Sequence, residues 1–140
     1  MLEPPLNVLA VIGSLHQNSV TRVVVNDLAG RLKRDGCKVD VLDFIEESLA
    51  LYNPDTAHDA TSFPPLKARV DAADVLLLGT PDYHGSMSST LKNFLDHFWH
   101  EFAGKLFATL VASHEKGLTV TDQLRTVARQ CYAWSLPYGV

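Results

Sequence analysis

Cysteine is scarce in this chain. Only Cys37 and Cys131 occur among 140 residues, and no paired metal or redox spacing joins them. That excludes a disulfide framework and suits a reducing compartment. Long apolar runs are missing too: none approaches the ~20 residues that a membrane span needs. The N-terminal stretch has no basic lead. Its apolar run 6–12 stops at Gly13-Ser14, the pattern of a strand and not of a signal peptide. Excess charge of one sign is absent: 12 basic and 16 acidic side chains leave a net charge of −4, with the basic residues scattered. Nucleic acid and anionic membranes are poor partners for such a surface. Two nucleotide signatures are lacking. Gly13 has no glycine two or five residues later, so G-x-G-x-x-G is absent, and no P-loop pattern occurs. Internal repeats and low-complexity tracts are absent as well.

What is present is an ordinary globular balance, 46% hydrophobic and 20% charged, long enough for one domain with a real core. Residues 6–12 are apolar and β-branched, a buried strand. Val20, Val24, Leu28 and Leu32 repeat at helical spacing within 19–35, and Gly36 stops that helix. KVDVL at 38–42 alternates as a second strand. Residues 43–64 carry Asn53-Pro54-Asp55 and Pro64-Pro65 and read as a long connection, a length that suggests a functional or partner-facing segment. A short helix over 65–73 leads to a third strand at 75–80. Leu91, Phe94, Leu95 and Phe98 mark the next helix, 106–112 a fourth strand, and 119–133 a last helix. Alternating strands and helices with continuous apolar strands give a parallel sheet covered on both faces. Ligands of such sheets sit outside the carboxyl ends of the strands. The loops 13–19, 81–88 and 113–118 are therefore the candidate site.

The first loop, GSLHQNS, places Ser14, His16, Asn18 and Ser19 before a helix N-terminus, where free N–H groups and the helix dipole attract anions. The same Ser and Asn serve equally well as helix caps. In the second loop, PDYHGS, Pro81 sets the turn, and Gly85 lets backbone approach a ligand. Tyr83 and His84 offer flat faces with polar edges. A plain turn has this composition too. The third loop, SHEKG, offers Ser113, His114 and Gly117, and by itself reads as a solvated charged turn. Side by side, the three suit a mononucleotide with a planar heterocycle, FMN being the obvious candidate.

The G-S-x-H-x-x-S stretch at 13–19 and PDYHGSMSSTLKNFLD at 81–96 resemble the NADPH-dependent FMN reductase family of flavodoxin-like fold. The family pattern is G-S-x-R-x-x-S, then P-x-Y-x-G-S followed by L-K-x-x-x-D. The resemblance runs over essentially the whole chain. It implies a doubly wound parallel sheet of order 2-1-3-4 in a single flavodoxin-like domain over 1–140. It implies noncovalent FMN, with the phosphate at Ser14, His16, Asn18 and Ser19. The isoalloxazine would lie on Pro81, Asp82, Tyr83, His84, Gly85 and Ser86, with Ser113, His114 and Gly117 as the third wall. The implied activity is hydride transfer from NAD(P)H through FMN to a flavin, quinone, azo or related acceptor. No side chain need act as general acid or base in that chemistry. A cytoplasmic homodimer or homotetramer goes with it.

Three departures matter. The family's Arg is His16 here. The third loop lacks the family's paired glycines. The chain reads as C-terminally short, with Pro137-Tyr138-Gly139-Val140 as the start of a fifth strand whose remainder and last helix are missing. Competing readings are narrower. Asp82, His84 and Ser86 lie on one loop without G-x-S-x-G, a poor basis for a hydrolase triad. His97, His100 and Glu101 share a helical face in sequence, but in neither zincin order. A polar face beside an aromatic ridge, with Trp99 and Phe102 at a subunit interface, accounts for them without a metal. A flavodoxin-like FMN electron carrier without NAD(P)H turnover is the main alternative.

Overall fold

The structure, a computed structural model, describes residues 4–138. Strand β1 (Asn7–Ile12) leads into helix α1 (Val20–Arg34) and strand β2 (Lys38–Asp43). Helix α2 (Phe63–Ala72), strand β3 (Val75–Tyr83) and the short strand β4 (Ser86–Met87) follow. Helix α3 (Ser89–Asp96), strand β5 (Leu106–Ala112), helix α4 (Leu118–Gln130) and strand β6 (Trp134–Ser135) complete the order. The sheet runs β2-β1-β3-β5-β6, all parallel, and β4 pairs antiparallel with β3 off this path. The expected order 2-1-3-4 is this order with β5 as the fourth long strand.

Each face of the sheet has its own core, because strand side chains alternate between faces. Val8, Ala10, Ile12 and Leu77 pack under Val25 and Ala29 of α1. Leu9, Val11, Leu76, Leu78 and Phe107 meet Leu66, Leu91, Phe94 and Leu124 from α2, α3 and α4. Helix α1 lies very close to β3. A Cβ on Gly79 would run into the Val25 side chain, so the glycine sets the distance between helix and sheet.

Several boundaries differ from the sequence reading. Strand β3 continues past Thr80 to Tyr83, because β4 folds back to pair with it. Helix α2 starts at Phe63, with its prolines in the first turn, where the missing N–H costs nothing. Helix α3 stops at Asp96, so Phe98 reaches the core from beyond the helix. The fifth strand starts at Trp134, earlier than Pro137, and α4 ends at Gln130 to allow it. Gly139 and Val140 lie outside the described residues. The connection after β2 is anchored, not loose. It holds a short 3-10 turn at Ala57–Asp59, Asn93 binds Tyr52 N–H and Ala50 C=O, and Arg69 ties Asp40 to Glu47.

Candidate functional site

The three candidate loops follow β1, β3 and β5, neighbouring strands of the sheet. Gly13 opens the first loop. Its N–H donates to Gly79 C=O at 2.8 Å, and its own C=O accepts from Ser88 Oγ at 2.5 Å. Ser88 also caps α3 by accepting from Leu91 N–H, while Ser88 N–H donates to Thr80 Oγ1. The ends of β1 and β3 and the start of α3 are thus joined by buried bonds. A Cβ on Gly13 would stand 2.5 Å from the Gly79 oxygen, so only glycine permits this approach.

Within the first loop, Ser19 caps α1 as the alternative reading had it. Its Oγ accepts from Arg22 N–H at 3.0 Å, a bond that does not use the hydroxyl's own proton. Ser14 is 1% exposed, and its Oγ accepts weakly from His16 N–H at 3.3 Å. His16 and Asn18 are exposed, and their side chains bind nothing among the described residues. Sequence reasoning passed over Arg22. Its guanidinium bridges Asp43 at the end of β2 and reaches back to loop carbonyls. The hydrogen bond to Asp43 raises the Arg22 pKa, and the same bond holds the Asp43 carboxyl below its ordinary value.

The second loop is a tight hairpin. His84 and Gly85 have φ of 57° and 76°, the pair of positive values a type I′ turn requires. Asp82 Oδ1 accepts from Gly85 N–H at 2.8 Å, and Asp82 Oδ2 accepts from Ser113 Oγ at 2.9 Å. Gln123 of α4 accepts from Ser86 Oγ and Met87 N–H. In the third loop His114, Glu115 and Lys116 are exposed, as a solvated charged turn has them, while the loop's two ends are fixed. Ser113 is bonded into the hairpin and accepts from Glu115 N–H, and Gly117 turns into α4 at φ 61°. Asp82, Gly85, Ser113, His114 and Gly117 line an open cleft of about 900 Å³. Tyr83 and His84 are exposed beside it, and the first-loop residues are not part of its lining.

The competing constellations do not assemble. Asp82 is occupied by Gly85 and Ser113, Ser86 by Gln123, and His84 bonds to neither. His97 is 5% exposed, with Nδ1 2.8 Å from Asn93 C=O and its ring edge-on to Tyr52. His100 instead stacks on Trp99, in a turn beyond the helix. Cys131 is buried, and desolvation raises its pKa, which leaves a poor nucleophile.

The NADPH-dependent FMN reductase profile matches residues 6–140. The chain belongs to that family. An FMN-dependent NADPH-azoreductase of Staphylococcus haemolyticus is 29% identical over 137 residues, covering 92% of this chain and 72% of the relative. One of Staphylococcus aureus is 36% identical over 94 residues, covering 64% of this chain and 50% of the relative. Among solved structures, the flavoenzyme NAD(P)H:(acceptor) oxidoreductase FerB of Paracoccus denitrificans superposes with a TM-score of 0.79 at 22% identity. The match covers 95% of this chain and 77% of FerB. The apo form of an NADH:FMN oxidoreductase superposes with a TM-score of 0.77 at 22% identity, over 96% and 73% of the two chains. These superpositions show the fold of this FMN reductase relative. Among the described residues, no helix is long and apolar enough to cross a membrane.

The site suits the family's cofactor in two ways. Space opens where a Cβ on Gly85 would point, with nothing within 4 Å. The first loop keeps hydroxyl donors at Ser14 and Ser19.

Proposed function

We propose that the chain is an FMN-dependent NAD(P)H oxidoreductase acting on a flavin, quinone, azo compound or related small acceptor. Its membership of the family supports this. The observation that carries it to this site is the Asp82–Ser113 bond, which draws the second and third loops together around one open cleft. In this reading the FMN phosphate lies at Ser14, His16, Asn18 and Ser19. The ring lies against Pro81, Asp82, Tyr83, His84, Gly85 and Ser86, with Ser113, His114 and Gly117 as the facing wall. Bound FMN supplies the electron chemistry, taking hydride from NAD(P)H and delivering it to the acceptor. The chain's own task is orientation. Asp82 and Gln123 hold the hairpin rigid by accepting Gly85 N–H and Met87 N–H, and backbone N–H groups of the hairpin not used in this way would stabilise negative charge on a ring edge.

A single domain, a cytoplasmic location and a homodimer or homotetramer belong to the same proposal. The exposed aromatic side chains Trp99, Tyr132 and Trp134 support self-association. The test is the visible spectrum of purified protein after FMN addition and removal of excess. A retained oxidised-flavin spectrum that NADPH or NADH bleaches is expected. A retained spectrum that neither bleaches would make the chain an electron carrier. No retained flavin would overturn the proposal.

A further inference from the structure

All five N–H donors of the Arg22 guanidinium are used. Nε donates to Asp43 Oδ2 at 2.8 Å, and Nη2 donates to Asp43 Oδ1 at 2.9 Å. Nη2 also donates to Ser14 C=O at 2.9 Å. Nη1 donates to Gln17 C=O at 3.2 Å and, more closely, to His16 C=O. The pair is mostly withdrawn from water, with side chains 15% and 19% exposed. Three carbonyls of the first loop are thus gathered on one side, around one cation.

Peptide planarity gives this a consequence. In a trans peptide the C=O of one residue and the N–H of the next point in opposite directions, and the chain has no cis bond among the described residues. Turning the carbonyls of Ser14, His16 and Gln17 toward Arg22 turns the N–H groups of Leu15, Gln17 and Asn18 away from it. None of these three N–H groups has an acceptor among the described residues. Free N–H groups on the outer side of a turn favour an anion there, and the Arg22 charge that gathers the carbonyls is itself met by Asp43. Asp43 fixes the guanidinium in that pose, and its own backbone C=O accepts from Glu46 and Glu47 N–H. The arrangement therefore also fastens the loop to the far end of β2.

We infer that Arg22, held by Asp43, is the positioning residue that shapes the first loop into an anion cradle and so gives this chain its preference for FMN over riboflavin. The inference rests on the reading of the first loop as the FMN-phosphate site. Arg22 acts from behind the loop and does not touch the phosphate. A lysine keeps the charge but lacks the planar five-donor fork.

The test compares dissociation constants for FMN and riboflavin, read by flavin fluorescence in wild type, Arg22→Lys and Asp43→Asn, with circular dichroism as the check on folding. Wild type is expected to prefer FMN. Both variants are expected to lose at least about tenfold in FMN affinity while riboflavin affinity moves less than about twofold. Asp43→Asn leaves the arginine itself unchanged but releases its guanidinium from the charged partner that holds it, so it carries the test if Arg22→Lys does not fold. A purely structural role would weaken both flavins in parallel and leave their ratio unchanged, and that result overturns the inference. Wild type that binds both flavins equally overturns it as well. Wild type that binds neither fails earlier, at the proposed function itself.

Discussion

Ser113 Oγ donates to Asp82 Oδ2 at 2.9 Å, across 31 positions of sequence. That bond fastens the turn after β5 to the hairpin after β3. Asp82 uses its second oxygen on Gly85 N–H, so one carboxylate orders both walls of the cleft. Hydrogen bonds to a charged acceptor are worth roughly 1.5–3 kcal/mol, more than neutral ones. The position of the cleft depends on this one side chain more than on any of the exposed residues around it.

Asp82→Asn is expected to weaken FMN and riboflavin alike, by about tenfold, because it loosens the ring site and not the phosphate site. The amide has only one acceptor oxygen for two donors. Ser113→Ala removes one of the same bonds. The double variant should therefore cost less than the sum of the two single changes. Flavin titrations on the four proteins give the coupling. Strict additivity would mean that the bond does not organise the site.

His84 sits at φ 57°, a conformation that costs an L-residue roughly 1–2 kcal/mol and that asparagine tolerates better. His84→Asn is expected to stabilise the fold by up to about 1 kcal/mol, read as a rise in the thermal midpoint. Gly85→Ala, at φ 76° with open space around it, is expected to lower the midpoint through backbone strain alone.

The sheet was legible because period-2 and period-3.6 apolar patterns need no tertiary knowledge. Leu76, Leu77 and Leu78 read as buried strand and are buried strand. The three loops were legible from the fold rule that places ligands at strand C-termini. The hairpin was not, since His-Gly is a weaker I′ signal than Asn-Gly and β4 is only two residues long. The roles of Arg22, Asp43 and Gln123 were invisible for a different reason. Each acts through a partner distant in sequence, and nothing local distinguishes Arg22 from any cation on the first turns of a helix. Ser88 was missed although its signal is local: a serine three residues before Leu91 is an ordinary cap signal, and the structure uses it so.

His16 stands where the family pattern has arginine, and its ring is exposed at the mouth of the first loop. His16→Arg adds a permanent charge and a bidentate fork directed at the proposed phosphate position. FMN should bind about tenfold more tightly, with riboflavin unchanged, and the gain should shrink at high salt. Titrations at low and high ionic strength check both parts. An equal gain for riboflavin would place His16 away from the phosphate.

The Arg22–Asp43 pair sets a direction for acid stability. The hydrogen bond from Arg22 holds the folded-state Asp43 carboxyl below its ordinary value of 3.8. In the unfolded chain that carboxyl takes up a proton at higher pH than it does in the fold. Stability therefore rises with pH across the gap between the two values. The pair's contribution is fully present above the unfolded value and is lost as pH falls through the folded one. Asp43→Asn removes the titration and the pair together. The difference in unfolding free energy between wild type and Asp43→Asn should be largest at about pH 7 and should shrink by about pH 3. Denaturant melts at a series of pH values measure it. A gap that stays constant over that range would mean that Asp43 is not held down by Arg22 in solution, and the cradle would then lack its anchor.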